Sequence, residues 1–115
     1  MKRFVAGLLI SAVAPLVFAH ATVKESIPAA GATLDKAPAQ VVLTFNEKVE
    51  PAFSSIDVKD FSGKAVGGKA FVDPVDPVLL KMDLPALSAG AYQVSWIAVG
   101  PDGHRRKGSY SFTVK

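Results

Sequence analysis

The chain has 115 residues, half of them apolar and a fifth charged, with 9 glycines and 8 prolines. That balance suits one turn-rich domain around a single core and excludes a two-domain enzyme, a disordered tail and a collagen-like chain. The absence of cysteine removes thiolate zinc sites, iron–sulfur clusters, cysteine nucleophiles and disulfides together, and a net charge of +3 gives little reason to expect nucleic acid as a partner.

Lys2 and Arg3 precede an apolar run over residues 4–18 that only Gly7, Ser11 and Pro15 interrupt, ending at Ala19. This is the pattern of a cleavable export signal, predicted over residues 1–19, with the folding domain over 20–115. The run is shorter than the roughly 20 residues of a membrane span, so no stable membrane insertion is expected after processing, and the mature charge falls to +1 without Lys2 and Arg3. Two cuts fit. Cleavage after Ala19 uses Val17 and Ala19 as the small recognised residues and makes His20 the new terminus; cleavage after Ala21 uses the A-x-A triplet Ala19-His20-Ala21 and discards the histidine.

Beyond residue 20, short runs rich in Val, Ile, Phe, Thr and Tyr alternate with Pro, Gly, Asp and Ser, and no helical period is sustained. Strands are predicted over 22–27, 40–45, 54–59, 64–72, 78–84, 92–99 and 109–115. Alternation points Val41, Leu43, Phe45, Ile56, Val58, Tyr92, Val94, Trp96, Tyr110, Phe112 and Val114 inward. Ile97 and Val99 occupy the opposite phase, so the sixth strand is expected to be covered on both faces near its end. Seven strands in about 96 residues indicate an all-β fold, a seven-stranded Greek-key β-sandwich of immunoglobulin-like kind, with a small barrel as the alternative.

The chain has two histidines, His20 and His104. If His20 is the first mature residue, its free amine and ring chelate one ion together. Neutral nitrogen donors in a square-planar or tetragonal array favour Cu(II), the tightest binder of the divalent first-row series. Asp102 and His104, two apart, are expected to project from one side of an extended segment and complete a set of three nitrogens and one oxygen. Such a site holds one Cu(II) ion per chain and, lacking a thiolate, is no blue-copper electron carrier. The only methionines are Met1 and Met82, so a thioether-rich Cu(I) site cannot be built. Trp96 reads as a core aromatic, the run Arg105-Arg106-Lys107 as a solvated hairpin segment, and the serines lack a nucleophile-elbow context.

The order and spacing of several segments carry a resemblance. They are His20-Ala21, Ser26-Ile27-Pro28-Ala29-Ala30-Gly31, residues 43–49 (LTFNEKV), residues 87–96 (LSAGAYQVSW), Asp102-Gly103-His104 and residues 108–114 (GSYSFTV). Together they resemble the CopC family of periplasmic copper-resistance proteins over essentially the whole mature chain. The resemblance implies a Greek-key sandwich or barrel of immunoglobulin-like or cupredoxin-like kind, Cu(II) binding in the periplasm and delivery of copper to an inner-membrane partner of the CopD type. It also implies ligands at His20, Asp102 and His104, cleavage before His20, and Glu47 as an axial ligand or outer group. The sequence departs from the family in lacking a methionine-rich loop and in carrying Arg105-Arg106-Lys107 where an apolar, Pro-containing stretch is usual. A non-catalytic carrier is therefore expected. The alternatives are a histidine-brace copper oxygenase, which the charged Asp102 disfavours by occupying the position oxygen needs, and a metal-free adhesion or assembly module.

Overall fold

The computed structural model describes residues 22–115. Alternating side chains make two sheets, because each strand has one apolar face to bury and a second sheet is what buries it. The described residues form nine strands: β1 (Val23–Ile27), β2 (Thr33–Leu34), β3 (Gln40–Phe45), β4 (Ser55–Asp60), β5 (Ala65–Val66), β6 (Phe71–Val72), β7 (Leu79–Asp83), β8 (Gly90–Val99) and β9 (Arg105–Val114). One sheet has the order β1-β3-β7-β6 and the other β2-β9-β8-β4-β5. Consecutive strands pair as hairpins at β4–β5, β6–β7 and β8–β9, and the remaining connections cross between sheets.

The sandwich core is where the alternation places it: Val41, Leu43, Phe45, Ile56, Val58, Tyr92, Val94, Phe112 and Val114 are buried. Val49, Leu80, Met82 and Ala98 join them. Trp96 and Tyr110 pack against this core from partly exposed positions. The Trp96 indole meets Phe45 edge-on with ring centroids 5.3 Å apart, and Tyr92 stacks on Phe112 at 5.3 Å. Burial pushes the Tyr110 hydroxyl up to about 12, an effect that Ser26 opposes.

Two strand bounds are corrected, and the described residues form nine strands where seven are expected. The run over residues 64–72 is not one strand, because Gly67 adopts a φ of 101° and sends β5 and β6 to different sheets. The last strand begins at Arg105, four residues earlier than predicted, because β8 and β9 pair without slip from Gly90↔Val114 to Val99↔Arg105. Cross-strand pairing thus carries three charged residues that patterning alone assigned to a turn. The two-residue β2, which pairs in parallel with the end of β9, has no periodicity to announce it.

In the turn between β6 and β7, Asp73 accepts hydrogen bonds from the Lys81 ammonium at 2.9 Å and from the Asp76 and Val75 amides at 2.8 and 3.0 Å. The Lys81 contact, then those amides, hold the Asp73 carboxyl down at about 2, below its ordinary 3.8. A depressed carboxyl contributes stability above its unfolded value and loses it as pH falls through the folded one. Asp73→Asn should therefore lower the melting temperature by a few degrees at neutral pH. Thermal scans should show the gap from wild type closing as pH drops from about 4 towards 2; a constant gap would remove the ionised carboxylate from the explanation.

Candidate metal centre

Three segments meet at the end of the sandwich where β8 turns into β9. The loop Gly100–His104 closes with the Gly103 amide donating to the Gly100 carbonyl at 3.0 Å, Gly103 at φ 80° and the Gly100 amide donating to the His104 carbonyl at 3.4 Å. Left-handed backbone at Gly103 is what lets so short a loop reverse the chain. Asp102 Oδ1 accepts the His104 amide at 3.0 Å, and Asp102 Oδ2 lies 3.0 Å from His104 Nδ1. The two side chains meet as expected but for a different reason: the segment is a tight turn rather than an extended strand, and the Asp102 carboxylate folds over the turn to reach the ring. A carboxylate and an imidazole set side by side in this way are two donors that could be offered to one metal ion.

The second segment follows β3. Glu47 Oε2 is buried and makes no hydrogen bond among the described residues. It lies against Gly100, where an added Cβ would sit 3.0 Å from Glu47 Oε2 and 3.5 Å from Asp102 Oδ1. Glycine at 100 therefore keeps open the approach of two acids towards one point. A buried carboxylate oxygen without a partner is costly, and a cation or an ammonium is what relieves it. If these groups hold a metal ion, Gly100→Ala should weaken its binding by about tenfold, since the new Cβ, 3.0 Å from Glu47 Oε2, forces that carboxylate to shift. Competition against a chromophoric chelator checks this, and unchanged affinity would remove the Glu47–Asp102 convergence from the site.

The third segment is the start of the described chain. The Thr22 amide donates to Asn46 Oδ1 at 2.8 Å and the Asn46 amide donates to the Thr22 carbonyl at 3.0 Å, so Thr22 is fastened to the residue preceding Glu47. His20, the remaining predicted ligand, lies outside the described residues. Among the described residues no group of three or more His, Cys, Asp and Glu gathers as a metal centre. Asp102, His104 and Glu47 are brought to one end of the fold. Sequence reasoning passed over Asn46 and Gly100. The available signals were an amide side chain just past an alternating strand and a glycine opening a Pro-Asp-Gly hairpin.

Comparison with known proteins decides the family. The CopC domain model matches residues 23–115. The chain belongs to the CopC family. Its similarity to protein YobA of Escherichia coli K12 is 35% identity over 118 residues, covering 100% of this chain and 94% of that protein. Copper resistance protein C of Pseudomonas syringae pv. tomato is 36% identical over 121 residues, covering 97% of this chain and 91% of that one. The crystal structure of CopC from Methylosinus trichosporium OB3b superposes with a TM-score of 0.79 at 36% identity, over 84% of this chain and 94% of that one. Copper is thus the ligand that membership of the CopC family implies, and the two-sheet architecture is that of its solved structures.

Proposed function

We propose that this CopC protein is a non-catalytic periplasmic carrier of one Cu(II) ion. Export with cleavage after Ala19 leaves His20 as the first residue of a domain spanning 20–115. The His20 amine and imidazole, the Asp102 carboxylate and the His104 imidazole hold the ion, with Glu47 as an axial or outer group. The observation that supports this reading is the Asp102–His104 pair, with the unpartnered Glu47 oxygen lying against Gly100 of the same loop and the Thr22 backbone fastened to Asn46. Residue 20 is two positions upstream, within about 7 Å of chain.

One dipositive ion and the Asp102 carboxylate leave a formal charge of +1 on the ligand set, and delivery is here assigned to an inner-membrane partner of the CopD type. Asp102 beside His104 favours a carrier over a histidine-brace oxygenase, and copper-loaded protein should give no rapid ascorbate-driven peroxide. Copper competes with protons for its nitrogen and carboxylate donors, so affinity falls on acidification. The core is built without the ion, so the metal-free protein stays folded.

Mass spectrometry of the exported protein, followed by calorimetric titration with Cu(II), tests the reading. A mature chain beginning with His20 that takes up one equivalent sustains it. A chain beginning with Thr22, or weak heat without stoichiometry, would falsify it.

A further inference from the structure

Beside the metal loop, on the outer face of the five-stranded sheet, lies a groove of about 490 Å³ lined by Phe53, Ile97, Val99, Gly103 and Arg105. Its floor is apolar because of strand register. Ile97 stands opposite Lys107 and Val99 opposite Arg105, and directly opposed residues in an antiparallel pair share a face. Two apolar side chains and two cations are therefore set side by side at the end of the sheet that carries His104.

Phe53 forms one wall and is 68% exposed, an unusual position for a large aromatic ring. It is not a loose side chain. The short 3-10 turn Pro51–Phe53 is fastened at both ends to the last residue of β8: the Glu50 amide donates to the Val99 carbonyl at 2.8 Å, and the Val99 amide donates to Ser54 Oγ at 3.1 Å. Arg105, Arg106 and Lys107 are all exposed, and among the described residues none of them forms an ion pair. On the same face of the sheet Asp57 faces Lys59 at 3.9 Å, while Asp102 is engaged with His104 in the loop. An apolar groove with a rim of cations that form no ion pair among the described residues thus adjoins the exposed imidazole of the loop.

We propose that this groove docks an acidic, aromatic-bearing protein segment that exchanges copper with the site, a proposal that rests on the carrier reading above. Charge complementarity selects the occupant. The rim attracts carboxylates, and the groove accepts an apolar side chain between them. A second copy of this chain is the wrong partner, because it brings a like-charged rim against the first. A lipid surface lacks the side-chain donors that must take the ion as His104 lets go. The ion moves by ligand exchange, with no change of oxidation state.

The test uses two synthetic peptides with the same copper-chelating amino terminus, Asp-Ala-His, followed by Gly-Glu-Phe-Glu-Leu-Glu in one and Gly-Lys-Phe-Lys-Leu-Lys in the other. Stopped-flow absorbance follows copper passing from the loaded, processed protein to each peptide at low ionic strength. The acidic peptide should accept copper at least about tenfold faster. The double variant Arg105→Glu/Lys107→Glu should abolish that preference, and Phe53→Ser should slow the acidic peptide alone. Lys36→Glu/Lys69→Glu changes the net charge equally at the opposite end of the sandwich, near Val114 and Asp83, and should keep the preference.

Equal rates for the two peptides, or equal loss of preference in both double variants, would overturn the proposal. Docking is also read on the metal-free protein, where the acidic peptide should shift the amide resonances of Ile97, Val99, Gly103 and Arg105. Those shifts without stoichiometric copper uptake would sink the carrier reading and leave the docking surface standing; copper uptake without them would do the reverse. Vesicles of one part phosphatidylglycerol to three of phosphatidylcholine that shift the same amides more than the acidic peptide does would overturn the proposal in favour of a membrane.

Discussion

His104→Ala should lower Cu(II) affinity by at least about 100-fold while leaving thermal unfolding of the metal-free protein unchanged. The size follows from its proposed place on the ion, since even groups that only support a ligand cost about 10–100-fold when removed. The selectivity follows from its location. The ring is 62% exposed on a hairpin loop and contributes nothing to the core, so its loss has no packing consequence. Asp102→Asn is the graded companion. It retains an oxygen that can accept the His104 amide, but it removes the charge, and its loss of affinity should fall between wild type and His104→Ala. Competition titration with a chelator of known affinity, read beside melting curves, checks both. Binding within threefold of wild type in His104→Ala would take the imidazole off the ion.

The second large effect is on folding. Phe45→Ala should destabilise the metal-free protein by about 3–5 kcal/mol, because it empties a fully buried aromatic position. Phe45 is 1% exposed and meets the Trp96 indole edge-on at 5.3 Å, so truncation removes both buried area and a ring contact. A domain of this length holds only about 5–14 kcal/mol in total, and no disulfide adds to it. The loss therefore consumes a large share of what is available. It also reaches the proposed metal centre, since Asn46 and Glu47 follow Phe45 directly and depend on the end of β3 for their position. Urea unfolding followed by the Trp96 fluorescence should give a much lower midpoint. A change below about 1 kcal/mol would mean that the sandwich core closes over the gap at little cost.

Much of the architecture was legible in the residues because burial in a sandwich imposes a period of two. Gln40–Phe45 was read with its observed limits, since Val41, Leu43 and Phe45 alternate with residues that face away from the core. The inward sets of β4, β8 and β9 were read on the same ground. Where the alternation is short or a glycine intervenes, it fails: β2 has two residues, and Gly67 divides a run that composition alone joins. The start of β9 was read late because Arg105-Arg106-Lys107 carries no apolar signal. Its strand character comes from ten paired positions on β8.

The candidate metal centre divides along the same line. Asp102, Gly103 and His104 are neighbours in the chain, and their chemistry is visible as three letters. The cysteine-free composition already confined any ligand set to nitrogen, carboxylate and thioether donors, because side-chain chemistry needs no fold. Tertiary structure alone sets Glu47 against Gly100, across more than fifty residues of chain, and fastens Thr22 to Asn46 beside it. Only the pairing of β8 with β9 places Ile97 and Val99 next to Lys107 and Arg105. The physical reason is range: periodicity and turn chemistry act over a few residues, whereas the convergence of distant segments is fixed by how two sheets bury their apolar faces against each other.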